Sequence, residues 1–174
     1  NKKFYNFLNK NRNKILSLSS PFLEKAVYES CKIKKIIVEK DEKEQGLRKI
    51  LNFGHSFAHA FEATLGFSKN LNHGEAVILG MKAALNFSVK TNQMNKGEYY
   101  SIINHIDNSD LPSSVRRFFS PKDSSKILSF MTKDKKNRSD KINLVLLRKI
   151  GDPIINKEYS KKKLSLFFKS FLRD

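Results

Sequence analysis

The sequence has a single cysteine, Cys31, which excludes an internal disulfide framework and fits a reducing compartment. No run approaches the roughly 20 apolar residues that span a bilayer, and the basic N-terminus lacks the apolar segment of a signal peptide. A soluble cytoplasmic protein with no membrane partner is expected. Acidic residues are scarce: 17 Asp and Glu stand against 34 Lys and Arg, a formal charge of +17. That excess favours anionic partners such as phosphorylated metabolites, nucleic acid or acidic membrane surfaces. The basic residues are scattered, with short clusters only at Lys133 to Lys136 and Lys161 to Lys163, so most are expected to solvate the surface. A dense basic stripe interleaved with aromatics is missing, which leaves a nucleic-acid-binding helical module as the weaker alternative. The seven glycines never form Gly-x-Gly-x-x-Gly, so no dinucleotide-binding turn is legible.

What is present suits one domain of 174 residues. Asn1 to Lys14 reads as the middle of a polar helix, which suggests an excised portion of a longer protein. Ser19-Ser20-Pro21 supplies a cap and a proline for a second helix. Leu23, Ala26, Val27, Ser30, Cys31 and Lys34 carry that helix toward Val38, with Cys31 expected to pack inside. A helix is predicted over 47–65, closed by Gly66, and another from His73 to about Lys90. Helical spacing continues at Tyr99 to Ile106 and again after Ser120-Pro121. Ile142 to Leu147, Gly151-Asp152-Pro153 and Ile154-Ile155 predict one small hairpin. Ser160 should cap a final helix. The expected fold is therefore mainly α, with a small β-hairpin and one domain over 1–174.

The informative segment runs from Leu47 to Glu62. On an ideal helix Arg48, Asn52, His55, His59 and Glu62 fall within an arc of roughly 80°, while Ile50, Leu51, Phe53, Phe57 and Phe61 occupy the other side. Solvent faces usually carry Glu, Lys, Gln and Ala; this row carries Arg, Asn and two His beside Gly54 and Ser56, which cost helix propensity. Function is the better reading. His55 and His59 are four apart, so both can serve one metal, or one can ligate while the other hydrogen-bonds. Ser56 stands where a zinc protease needs its glutamate, which disfavours that class. His73, beside Gly74 at a helix start, either caps its helix or is a second ligand. Glu62 and Glu75 lie nearby, Glu62 reading as a helix end and Glu75 as a partner of the positive end of its own helix.

Gly46-Leu47-Arg48, Leu51-Asn52-Phe53-Gly54-His55-Ser56-Phe57-Ala58-His59-Ala60-Phe61-Glu62 and His73-Gly74-Glu75-Ala76-Val77 together resemble the central signature of the 3-dehydroquinate synthases. Ser30 to Lys34, Asp41 to Glu44, Asp134-Lys135-Lys136 and Ile150-Gly151 follow in the family's order, so the resemblance covers essentially the whole chain. Ala58 departs from the family's usual glycine, and 66–72 is slightly long. The resemblance implies that His55 and His73 bind zinc, or another divalent metal such as Co2+. It implies that His59 contacts substrate and relays protons, and that Lys34, Arg48, Asn52 and Lys135 or Lys136 bind substrate, with His59 and Arg48 catalytic. A third ligand, a glutamate, and most of the NAD site belong in such enzymes to an N-terminal domain, so the chain alone is expected to be inactive.

Such an enzyme converts 3-deoxy-D-arabino-heptulosonate 7-phosphate to 3-dehydroquinate and phosphate in the shikimate pathway to chorismate and the aromatic amino acids. It is a lyase and works as a homodimer. The nearest rivals are other sugar-phosphate cyclases and related polyol dehydrogenases. The charge spacing alone also suggests that Glu44, one turn before Arg48, orients its guanidinium.

Overall fold

The structure is a computed structural model and describes residues 1–109, 111, 114–133 and 141–173. Two short helices open the chain, α1 (Lys2–Lys10) and α2 (Arg12–Leu16), followed by the long α3 (Phe22–Lys40). The Asn1 side chain caps α1 by accepting from the Phe4 N–H at 3.1 Å. A 3-10 segment, Leu47–Asn52, leads into α4 (His55–Thr64), and then come α5 (His73–Lys90), α6 (Lys96–Asp107) and α7 (Ser124–Lys133). The hairpin strands β1 (Lys141–Lys149) and β2 (Asp152–Ser160) precede α8 (Lys161–Phe171). Among the described residues the two strands form the only sheet, antiparallel, with register shifts that leave Asn156 at positive φ.

The core lies where α4, α5 and α8 meet the hairpin. Phe57, Phe61, Phe87 and Phe168 are wholly buried. Phe57 meets Phe168 and Phe87 meets Phe167 edge to face, at 5.9 and 5.0 Å between centroids, a geometry that suits aromatic quadrupoles. Ile142, Leu144 and Leu146 alternate inward from β1. A second cluster of Leu85, Met94, Ile103 and Ile106 seats α6 on α5. The expected mainly helical fold with one hairpin is what the chain adopts, and Ser160 does cap α8, accepting from the Lys163 N–H. No described helix is long and apolar enough to cross a membrane.

Three local expectations are corrected. The helix predicted over 47–65 is two pieces, because Gly54 sits at φ +83° and starts a new helix at His55. Cys31 is exposed rather than packed. Its helix, α3, buries only Ala26, and leaves Val27 54% and Tyr28 63% exposed. α3 begins at Phe22, one residue past the proline.

Candidate metal and substrate site

The site begins with one carboxylate. Asp41, just after α3, accepts the Gln45 N–H through Oδ1 at 2.9 Å and the Gly46 and Arg48 N–H groups through Oδ2 at 2.8 and 2.9 Å. These three donors favour the charged form, so they hold the Asp41 carboxyl below its ordinary value, the Arg48 N–H contributing most. The loop is thereby closed with the Arg48 backbone at a fixed point. The Arg48 guanidinium donates to the Glu42 carbonyl at 2.6 Å. The Asn52 amide donates to Glu44 Oε1 at 2.6 Å, a partner for Glu44 that spacing on an ideal helix does not suggest.

After Asn52 the chain turns at Phe53 and Gly54. The left-handed conformation at Gly54 is cheap only for glycine, and packing requires glycine as well. A Cβ there would lie 2.6 Å from the Met81 backbone nitrogen on α5. A Cβ on Gly80 would in turn run into the Gly54 carbonyl oxygen and sit 2.9 Å from the Ala58 nitrogen. The two glycines let α4 and α5 meet backbone to backbone, and Ala58 is accommodated against the same bare surface. With the helix broken, Arg48 and Asn52 leave the stripe, and His55, His59 and Glu62 alone share the face of α4.

His73 is the first residue of α5. Asn72 caps that helix in a reciprocal box with Glu75, whose Oε2 accepts the Asn72 N–H at 2.8 Å. Glu75 is thus used at its helix end, as expected, and His73 is not needed as a cap. The three imidazoles converge: ring centroids are 5.7 Å apart for His55 and His73, 5.7 Å for His55 and His59, and 6.1 Å for His59 and His73. Glu62, which reads in the sequence as a mere helix end, faces the same point, with Oε1 3.0 Å from His73 Nδ1. Ligand atoms of His59, Glu62 and His73 all lie within 4.8 Å of one another.

His55 is half-buried. Desolvation, the largest influence, pushes its pKa below the usual 6.5; the Phe53 carbonyl, 3.4 Å from Nδ1, opposes this, His59 and His73 add to it, and Glu62 opposes it. The neutral ring so favoured is the form that can donate a lone pair to a metal. Imidazole nitrogens with a carboxylate oxygen are the donor set that suits Zn2+ or Co2+. The residues therefore fit a divalent metal.

The other residues singled out in the sequence are more dispersed. Lys34 is exposed on α3 and makes no hydrogen bond or ion pair among the described residues. Lys135 and Lys136 lie outside the described residues. Two contributors, Asp41 and Gly80, carry no chemical signature in the sequence; Glu62 carries one, its three-residue step from His59.

The same arrangement, helical domain plus hairpin, is found in two solved structures. A 2-epi-5-epi-valiolone synthase from Streptomyces hygroscopicus subsp. jinggangensis 5008, solved with NAD+ and Zn2+ bound, matches with a TM-score of 0.74 at 19% identity, over 99% of this chain and 47% of that one. A 2-deoxy-scyllo-inosose synthase complexed with carbaglucose-6-phosphate, NAD+ and Co2+ matches with a TM-score of 0.71 at 19% identity, over 87% of this chain and 42% of that one. At such identity these two show the fold alone. Residues 1–137 match the model of the 3-dehydroquinate synthase C-terminal family. The chain is 54% identical over 171 residues to the 3-dehydroquinate synthase of Pelagibacter ubique (strain HTCC1062), covering 98% of this chain and 46% of that protein. With that of Bradyrhizobium diazoefficiens it shares 34% identity over 174 residues, 97% of this chain and 45% of the other. The chain belongs to the 3-dehydroquinate synthase C-terminal family. It spans a little under half the length of these curated relatives.

Proposed function

We propose that this chain forms the metal- and substrate-binding part of a 3-dehydroquinate synthase, the phosphate-eliminating cyclase that makes 3-dehydroquinate from 3-deoxy-D-arabino-heptulosonate 7-phosphate in the shikimate pathway. The observation that carries the reading is the meeting of His55, His59 and His73 on two helices locked together at Gly54 and Gly80, in a chain 54% identical to a named member.

In this reading His55 and His73 are the metal ligands from this chain, and a glutamate of an N-terminal NAD-binding domain completes the set. A bound divalent metal supplies polarisation of a substrate hydroxyl, and NAD supplies a reversible hydride acceptor. His59, exposed beside the pair, hydrogen-bonds the substrate and moves its protons. Arg48 and Asn52 hold an anionic end of the substrate, the guanidinium by a two-pronged contact and the amide by a single one; Asp41 and Glu44 fix the loop that presents them. Lys34 and Lys135 add positive charge. The exposed Val27, Tyr28 and Ile36 of α3 offer the other domain an apolar surface.

A second reading, a valiolone- or inosose-type cyclase, rests on the two solved neighbours, but their 19% identity stands against 54%. A product assay on the complete enzyme separates them. Formation of 3-dehydroquinate with phosphate release from the heptulosonate phosphate is expected; turnover of a rival sugar phosphate in its place would contradict the assignment. The 174-residue chain alone is expected to show no turnover with NAD and substrate.

A further inference from the structure

We propose that Glu62 is the positioning residue for His73: its carboxylate accepts the His73 Nδ1 proton and so turns the unprotonated Nε2 toward the metal. The proposal rests on the metal reading above and adds how one ligand is aimed.

His73 is an unlikely residue to hold still on its own. It is the first residue of α5 and its side chain is 60% exposed, so solvent imposes little order on its two torsions. Helix capping, the usual duty at such a place, has been taken over by Asn72 and Glu75. Among the described residues its one hydrogen-bonded partner is Glu62. That carboxylate is fixed far better. Its side chain is only 13% exposed, and it rides on α4, whose Phe57 and Phe61 are wholly buried in the core. A rigid acceptor therefore sets the orientation of a mobile ring.

His73 Nδ1 and Glu62 Oε1 stand 3.0 Å apart, the distance of an ordinary N–H···O hydrogen bond, so Glu62 engages Nδ1 directly. With Nδ1 engaged, Nε2 is the nitrogen left to coordinate. A carboxylate behind a ligating imidazole fixes its tautomer and raises its donor strength, and removing such a group typically lowers metal affinity by about tenfold to hundredfold.

The test uses the complete enzyme as wild type, Glu62→Ala, Glu62→Gln and His73→Ala; the glutamine variant keeps the side-chain shape should the alanine variant fold poorly. Imidazole 15N shifts of the metal-free protein, at a pH of about 8 where histidine is ordinarily neutral, report the His73 tautomer. Co2+ binding by chelator competition reports affinity, and the visible Co2+ spectrum reports the ligand set. Wild type is expected to hold His73 as the Nδ1-protonated form. Both Glu62 variants are expected to shift it toward Nε2-protonated and to weaken Co2+ binding by about tenfold to hundredfold. Their spectrum should stay that of wild type, while His73→Ala changes it. An unchanged tautomer or unchanged affinity in the Glu62 variants overturns the proposal alone, as does a spectrum showing that a ligand was lost with Glu62. A wild-type protein that binds no Co2+ overturns both this proposal and the metal reading.

Discussion

Gly54 and Gly80 touch backbone to backbone, the carbonyl of one occupying the space where the other would carry a Cβ. This contact sets the distance between α4 and α5 and hence between His55 and His73. Gly80→Ala forces the helices apart or distorts one of them, and overpacking of this kind costs about 1–3 kcal/mol. A denaturant midpoint lowered accordingly is expected, together with weaker metal binding; a wild-type midpoint would show that the junction yields.

Asp41 is held below its ordinary value of 3.8 chiefly by the Arg48 N–H, then those of Gly46 and Gln45, and last by the Arg48 charge. A carboxyl whose pKa is depressed on folding contributes stability that is complete above its unfolded value and is lost as pH falls through the folded one. Amide exchange at residues 45–48, corrected for intrinsic rates, is expected to accelerate below about pH 4 in wild type. Asp41→Ala should show fast exchange at every pH and a raised KM, because Arg48 is no longer fixed. Slow exchange at 45–48 in the variant would count against the loop-closing role.

α1 is tied to α6 through His105, whose Nδ1 lies 3.0 Å from Asn9 Oδ1 and whose ring is 5.3 Å from that of Tyr5. Burial, and after it the Arg12 charge, pushes the His105 pKa below 6.5. A depressed histidine resists the proton that the unfolded chain would accept, so this contact contributes fully above the unfolded value and loosens as pH falls below it. Amide protection in α1 is expected to drop on acidification from about pH 7 to pH 5. His105→Phe should make it independent of pH over that range, and an α1 equally acid-sensitive in the variant would assign the effect elsewhere.

Much of the fold is legible in the sequence, because its signals are local. The His73 to Lys90 helix carries an uninterrupted small and apolar face, Ser160 carries a capping side chain, and Gly151 marks the hairpin turn. What is not legible depends on a partner surface. Gly54 looks like a tolerated glycine within a helical period until Gly80 stands opposite it. Cys31 falls on a proper helical stripe, but only Ala26 of that helix meets enough of the chain to be buried. At the site, His55, His59 and His73 announce themselves by residue type and spacing. Glu62 shares their helical face but reads as a helix end, and Asp41 looks like a surface carboxylate, since their roles exist only once His73 and the 45–48 backbone fold against them.

The most direct test of the account measures Zn2+ affinity and turnover of the complete enzyme carrying His55→Ala, His73→Ala or His59→Ala. Tight zinc binding is expected to be abolished in the first two, while the third retains metal and loses turnover. Loss of zinc in His59→Ala as severe as in His55→Ala would contradict the division of roles among the three imidazoles.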